Sequence, residues 1–263
     1  MKPLTEKKIL FCRSQKSSKE FETVFRNAGA DVTFFSTFKI EYQFPEAEKN
    51  ARQYLPKLSD FDWILFSSVN GVDAFIYYVE ILGINLYDFP EINIGIVGDK
   101  SGDKLQAVFS PIKIIFKAGS LQALVDKISR AQEKITVAHF TSEQSIDKIQ
   151  VNKLDHVQLK RIPLYRTVKD DALEPGRKPL QPEEFDIIVF SSPTSFDYFR
   201  EILDDAFPLH HSTIATFGKT TCEYIRQKGY DVQITPDQPQ PKSLLDSVVN
   251  FFAKREEYHV FTN

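Results

Sequence analysis

Residues 61–75, FDWILFSSVNGVDAF, return as residues 185–199, FDIIVFSSPTSFDYF, with eight of fifteen positions identical. In each copy an acidic residue precedes four apolar residues, typical of a buried strand, and two serines then lead into apolar residues at helical spacing. A second pair of similar segments, residues 94–101 and 214–221, has a glycine directly after each strand pattern. The chain therefore contains two similar α/β units.

Alternating strand and helix patterns run along the whole chain. Further strands are predicted at residues 8–12, 31–35, 93–97, 135–140 and 213–217. Strands that alternate with helices usually pair in parallel, so the sequence predicts α/β sheets with helices on both faces. Ligands of such sheets bind at the carboxyl ends of the strands, which makes the residues after each strand the candidates for function.

The composition disfavours several classes of protein. The 263 residues include 33 basic and 36 acidic ones, a net charge of −3, which does not predict nucleic-acid binding. No apolar stretch approaches the ~18 residues that span a membrane, and no export signal follows Met1, so we expect a cytoplasmic protein. Cys12 and Cys222 are too few for a disulfide framework and are expected to be buried.

The motifs of common cofactors are missing from the sequence. Neither the phosphate loop G-x-x-x-x-G-K-[ST] nor the dinucleotide motif G-x-G-x-x-G occurs. The five histidines are not spaced as zinc ligands, and no G-x-S-x-G nucleophile elbow is present. We therefore expect neither a metal nor a cofactor.

The repeated serine pairs favour anion binding. Ser68 and Ser192 precede helix patterns, and a helix N-terminus binds carboxylate or phosphate through its free N–H groups and its dipole. Helix capping alone would explain one such pair. The recurrence of the pair at a strand's carboxyl end in both repeats shifts the interpretation toward binding.

An ordered set of motifs, spread over nearly the whole chain, resembles the uroporphyrinogen-III synthase family. The motifs are CRS (12–14), AGADV (28–32), FSSVNGV (66–72), VG (97–98), PLYRT (163–167), FSSPTS (190–195), FGKTT (217–221) and KGYDV (228–232). The resemblance implies two flavodoxin-like parallel-sheet domains joined by a two-stranded β-ladder. One domain would combine residues 1–37 and 171–263, the other would span residues 42–162, and the ladder would comprise residues 38–41 and 163–170.

The same resemblance implies a reaction. Linear hydroxymethylbilane would be cyclised to uroporphyrinogen III with loss of water and inversion of its last pyrrole ring, without a cofactor. Tyr165 is the expected catalytic residue, a phenol that assists the departing hydroxyl. The expected substrate-binding residues are Ser67, Ser68, Asn70, Gly98, Ser101, Thr141, Ser142, Ser191, Ser192, Ser195, Gly218, Thr220 and Thr221. A monomer in transient contact with hydroxymethylbilane synthase is also expected.

Two departures from the family pattern affect the expected site. Ser101 stands where the family usually has threonine, which keeps the hydroxyl and loses a methyl group. Asp99 places an acid beside a site for carboxylates, and Lys100 and Lys219 are the residues expected to offset its charge.

Two other functions remain open from the residues alone. A non-catalytic two-domain hinge protein would bind a small polyanionic ligand with the same helix N-termini. A receiver-like interaction module would need an acidic pocket at the strand ends, where this chain has Ser-Ser and Gly. Tyr165 and the order of the motifs favour the enzyme.

Overall fold

A computed structural model describes residues 2–14, 18–110, 112–130, 134–145, 156–170, 180, 184–203, 209 and 212–261, the last six of these by backbone only. The strands are β1 (Lys8–Cys12), β2 (Asp31–Phe34), β3 (Phe38–Glu41), β4 (Trp63–Phe66), β5 (Asn93–Val97), β6 (Ile114–Ala118), β7 (Ile135–Ser142), β8 (Val157–Lys169), β9 (Ile187–Phe190) and β10 (Thr213–Thr216). The helices are α1 (Lys19–Asn27), α2 (Pro45–Tyr54), α3 (Val69–Leu82), α4 (Asp99–Val108), α5 (Leu121–Ile128), α6 (Pro193–Ile202), α7 (Lys219–Gln227) and α8 (Pro241–Phe261). Short 3-10 helices occur at Leu55–Asp60 and Leu86–Asp88.

The chain divides into two compact units. One combines Met1–Lys39 with Lys169–Asn263, and the other is Ile40–Val168. We call them the terminal unit and the central unit. The chain passes from one unit to the other within β3 and within β8. Residue 171, where the second segment of the first predicted domain begins, lies outside the described residues.

The sheet of the terminal unit has the order β10-β9-β1-β2, and all its pairs are parallel. An isolated parallel bridge from Ala215 to Ile234 continues it beyond β10. Counted along the chain, the spatial order is 2-1-3-4-5, which is the order of flavodoxin-like folds.

The strands of the central unit have the same spatial order, but the chain enters that order at a different strand. Its sheet runs β3-β8-β7-β4-β5-β6, and the pairs from β8 to β6 are parallel. If β7 and β8 are counted before β4, these five strands again read 2-1-3-4-5. The central unit is thus a circular permutation of the terminal one, since its β7 and β8 come last in the chain where the equivalent β1 and β2 come first.

Apolar residues line both faces of each sheet, as the sequence predicts. In β1, Ile9 and Phe11 belong to one buried cluster, and Leu10 and Cys12 belong to another. The central sheet is divided in the same way, with its two faces buried in separate clusters. Side chains of a strand alternate between faces, so this pattern is that of a sheet covered by helices on both sides.

The prediction that both cysteines are buried is confirmed, and both are free thiols. Complete burial raises the pKa of the Cys12 thiol well above its ordinary value. Within the described residues, no helix is long and apolar enough to cross a membrane.

Candidate functional site

The centre of the candidate site is the carboxyl edge of the central sheet where β4 and β7 pair. This pair is the topological switch point, because the chain leaves β4 toward β5 on one side and leaves β7 toward β8 on the other. Ser67 and Ser68 follow directly after β4. They therefore lie at the point where α/β sheets of this order bind ligands.

Ser68 contacts both α3 and β8, a strand that is separated from β4 by β7. Its hydroxyl oxygen caps α3 by accepting a hydrogen bond from the Gly71 N–H at 3.1 Å. The same oxygen lies 3.0 Å from the phenol oxygen of Tyr165, and either group can be the donor. The predicted capping role and the predicted site therefore coincide at this serine.

Tyr165 reaches this position because β8 contains an irregularity. Thr141 pairs with Pro163 and Ser142 pairs with Tyr165, so that β8 has one extra residue, Leu164. Regular alternation would send Leu164 and Tyr165 to opposite faces, yet both belong to the same buried cluster. The bulge thus turns the phenol toward Ser68.

Burial fixes the protonation state of Tyr165. The side chain is 7% exposed. Loss of solvation raises its pKa above the ordinary tyrosine value, and the hydrogen bond with Ser68 partly opposes that rise. The phenol is therefore neutral near pH 7 and is able to donate a hydrogen bond or a proton.

Ser67 contacts a residue on the face of the sheet opposite to that of Tyr165. Its hydroxyl oxygen lies 2.8 Å from Nε2 of His139, a fully buried residue of β7. The spacing of the histidines predicts no zinc site, and the sequence motifs assign His139 no other role. A polar residue inside the apolar strand pattern ITVAHF was the signal that could have identified it, because buried imidazole groups need hydrogen-bond partners.

A glutamine that no sequence motif predicts fixes the end of β7. Gln144 accepts the Thr167 N–H at 3.1 Å and donates to the Thr167 carbonyl at 3.0 Å, so its amide continues the pairing with β8. The Ser142 hydroxyl donates to Oε1 of the same glutamine at 2.8 Å. Thr141 is buried within β7. These contacts place Ser142 and Thr141 beside β8 and leave Ser142 at the edge of the site.

The turn after β5 contributes a less enclosed part of the edge. Gly98 is exposed and has a φ of 78°, a conformation that favours glycine, at the start of α4. Ser101 is buried in the first turn of α4. The Asp99 carboxylate lies 3.4 Å from Nζ of Lys117, so Lys117 is the observed ion-pair partner of this acid. Asn70, in the first turn of α3, is half-buried.

In the terminal unit, Ser192 and Ser195 form a reciprocal cap on α6. The Ser192 hydroxyl accepts the Ser195 N–H, and the Ser195 hydroxyl oxygen accepts the Ser192 N–H, each at 3.1 Å. Ser195 also donates to the Ser192 carbonyl at 2.7 Å. The Ser191 hydroxyl donates to the Cys12 carbonyl at 3.5 Å across the β9–β1 pair. This copy of the repeat is thus tied to backbone groups and to its own helix turn.

The other predicted residues of the terminal unit begin α7. Gly218 precedes the helix with extended backbone angles that any residue adopts. Thr220 is exposed and Thr221 is buried. A cavity of about 430 Å³ lies along this helix, with Lys219 and Asp237 among its lining residues. The edge that follows β9 and β10 therefore carries hydroxyls, helix N–H groups and a nearby lysine.

Within each unit, the structure gathers the predicted residues at the carboxyl edge of one sheet. In the central unit these residues form two hydrogen-bonded pairs, Ser67 with His139 and Ser68 with Tyr165. Ser101, Thr141, Ser195 and Thr221 are buried in the elements that support the edges. Within the described residues, no group of three or more His, Cys, Asp or Glu could hold a metal ion.

Comparisons with known proteins show the family and the fold of this chain. Residues 19–246 match the family model described as uroporphyrinogen-III synthase HemD. The porphyrin biosynthesis protein HemD of Ruminiclostridium josui is 25% identical over 255 residues, which are 95% of this chain and 48% of that protein. The chain thus spans about half the length of this curated relative. A crystal structure of a mutant uroporphyrinogen III synthase from Thermus thermophilus matches with a TM-score of 0.59 at 14% identity, covering 94% of this chain and 99% of that one, which shows a shared fold.

Proposed function

We propose that this chain, which belongs to the uroporphyrinogen-III synthase family, converts hydroxymethylbilane to uroporphyrinogen III and water as a cyclising hydro-lyase. The observation that carries the proposal is the phenol of Tyr165, buried at the switch point of the central sheet, 3.0 Å from the Ser68 hydroxyl. The family match over residues 19–246 supports the identity of the substrate.

The chemistry begins with departure of the terminal hydroxyl. The C–O bond of the hydroxymethyl group breaks, and the oxygen leaves as water after it receives a proton from the Tyr165 phenol. The phenol carries its proton at neutral pH, and the burial that raises its pKa favours return of the proton to the phenoxide after ring closure. Ring closure through a spiro intermediate inverts the last pyrrole ring, and the proton lost when this ring becomes aromatic again returns to the phenoxide.

Substrate carboxylates are the groups that the two edges are suited to hold. In the central unit, Ser67, Ser68, Asn70, Gly98, Ser101, Thr141 and Ser142 form the proposed binding set, and in the terminal unit the set is Ser191, Ser192, Ser195, Gly218, Thr220 and Thr221. Helix N–H groups and hydroxyls supply donors without net charge, which is consistent with the net charge of −3. Binding folds the flexible substrate toward ring closure, and this conformational effect is expected to exceed the contribution of any one acid.

The location and assembly of the protein belong to the same proposal. We expect a cytoplasmic monomer that receives its unstable substrate through transient contact with hydroxymethylbilane synthase. Size-exclusion chromatography with light scattering, with and without that synthase, tests the monomeric state and the contact.

The decisive experiment is an isomer assay. The purified protein is supplied with freshly prepared hydroxymethylbilane, and the products are oxidised and separated as porphyrin isomers. We expect isomer III in excess over isomer I, which forms spontaneously. Isomer I alone, at the rate seen without protein, would contradict the proposed function, and binding of hydroxymethylbilane without turnover would support a non-catalytic binder instead.

A further inference from the structure

One residue at the switch point is not explained by the fold. His139 is 0% exposed, and it shares a sheet face with Val137 and Leu65, two members of an apolar cluster. Burying an imidazole is unfavourable unless its nitrogens are hydrogen-bonded. Its Nε2 lies 2.8 Å from the Ser67 hydroxyl oxygen, so at this position a buried ring contacts a half-exposed side chain at the ligand-binding edge.

The terminal unit shows what the fold accepts at the same place. His139 pairs with Leu65, and Phe11 pairs with Val189 in the equivalent strands of the other sheet. Phe11 fills this place with an apolar ring that packs edge-on against Phe25, with centroids 5.1 Å apart. The equivalent place in the terminal unit is thus filled by an apolar ring, whereas His139 makes a polar contact with Ser67.

The chemistry of a serine hydroxyl suggests a role for this contact. A hydroxyl has one proton and rotates freely, whereas a carboxylate only accepts hydrogen bonds. When Nε2 of His139 donates to the Ser67 oxygen, the Ser67 proton is directed away from the ring. We infer that His139 is a positioning residue that directs the Ser67 hydroxyl proton toward a carboxylate of the bound substrate. This inference rests on the proposed function and adds a residue to its binding set.

Steady-state kinetics of His139→Phe tests the inference. This variant introduces the residue that the terminal unit has at the equivalent place. We expect KM for hydroxymethylbilane to rise about tenfold, the effect of losing one charge-assisted hydrogen bond, while kcat stays within about twofold. His139→Gln, whose amide nitrogen can donate from near the Nε2 position, is expected to restore most of the loss. His139→Asn is too short to reach Ser67 and is expected to resemble the phenylalanine variant.

A double-mutant cycle separates positioning from a structural effect. Ser67→Ala is expected to raise KM as much as His139→Phe does. In the Ser67→Ala background, the histidine substitution should change KM by less than about twofold, because the hydroxyl that His139 orients is gone. A tenfold effect in both backgrounds would overturn the inference, as would an unchanged KM in His139→Phe. If His139→Phe does not fold, His139→Asn takes its place in the cycle. The same changes in KM are then expected, about tenfold with Ser67 present and less than about twofold in Ser67→Ala.

Failure of this inference is distinguishable from failure of the proposed function. Wild-type protein that gives no excess of isomer III refutes the function, and the positioning role is then judged by the binding of uroporphyrin III, which retains the acidic side chains. About tenfold weaker binding by His139→Phe than by wild type would sustain the role. Equal binding, or no binding by the wild type, would overturn it.

Discussion

The two copies of the repeat make equivalent hydrogen bonds at the amino ends of their strands. The Asp62 carboxylate accepts the Thr136 N–H at 2.7 Å, and the Asp186 carboxylate accepts the Lys8 N–H at 2.8 Å. In both units, therefore, the aspartate before the central strand ties it to the neighbouring strand. The shared partners are backbone N–H groups, which every sequence provides, and Asp62 also accepts the Thr136 hydroxyl at 2.9 Å.

At the carboxyl ends the copies differ although their serines are identical. Ser67 and Ser68 bond to the side chains of His139 and Tyr165 on other strands. The equivalent Ser191 bonds to a backbone carbonyl, and Ser192 caps its own helix. The difference lies in the surrounding strands, which supply side-chain partners to the serines of the central unit.

Exchanging one residue between the copies is expected to give the largest effect. Gly71 occupies the place that Ser195 has in the other copy, and a Cβ added to Gly71 would lie 2.9 Å from the Phe140 carbonyl oxygen. Gly71→Ser is therefore expected to lower the free energy of unfolding by about 2 kcal/mol through overpacking. Ser195→Gly removes a reciprocal cap and should cost about 1 kcal/mol. Urea denaturation measures both values. A Gly71→Ser protein as stable as wild type would show that the close approach of α3 to β7 is not a constraint.

Tyr165→Phe tests whether the central unit carries the chemistry. We expect kcat to fall about tenfold, equivalent to about 1.4 kcal/mol of the activation barrier, with a melting temperature close to that of wild type. Tyr87→Phe is the matched control, since Tyr87 is exposed and donates to the Ser110 carbonyl away from the site. An unchanged kcat in Tyr165→Phe would remove this residue from the mechanism.

Serine-to-alanine substitutions sharpen the comparison of the two caps. Ser68→Ala and Ser192→Ala each remove a helix cap and should lower the free energy of unfolding by about 1 kcal/mol. Ser68→Ala alone is expected to raise the pKa of Tyr165 further, because the hydrogen bond from Ser68 lowers it in the wild type. Ultraviolet titration, with the spectrum of Tyr165→Phe subtracted, isolates this phenol. Equal shifts of the Tyr165 pKa in Ser68→Ala and Ser192→Ala would contradict the assignment of Ser68 as the hydrogen-bond partner of Tyr165.

The smallest expected effect concerns alkaline stability. Burial is the main factor that raises the pKa values of Tyr42 and Tyr78 in the central unit to about 12. The unfolded chain loses these protons near pH 10 and the folded protein near pH 12, so stability is complete below pH 10 and falls as the pH rises between these values. The loss is about 0.8 kcal/mol per tyrosine at pH 10.5.

Urea denaturation at several alkaline pH values measures the slope with which the free energy of unfolding falls as the pH rises. Tyr78→Phe should reduce the slope, although it also removes the hydrogen bond that the Tyr78 phenol donates to the Tyr42 carbonyl. Tyr87→Phe again serves as the control and should retain the wild-type slope. An identical slope in Tyr78→Phe and wild type would show that this phenol ionises equally readily in the folded and unfolded chains.

The sequence predicts the strands well and the site in part. The predicted strands at residues 8–12 and 93–97 coincide with β1 and β5, because three or more apolar residues within each short segment indicate a buried strand locally. The strand β6 is missing from the prediction, since IIFKA is short and ends in residues with little strand preference. His139 and Gln144 escape notice because their partners, Ser67 and Thr167, are distant in sequence.

By itself, the sequence determined the number of units, the parallel α/β class and the serines at the strand ends, because a repeat and a hydrophobic period are local properties of the chain. Only the tertiary structure decided that β7 and β8 take the place in the central unit that β1 and β2 take in the terminal one. It also decided that a bulge at Leu164 turns Tyr165 toward Ser68 and that His139 meets Ser67. Strand order, register and bulges depend on pairing between distant segments, and local patterns leave such pairing undetermined.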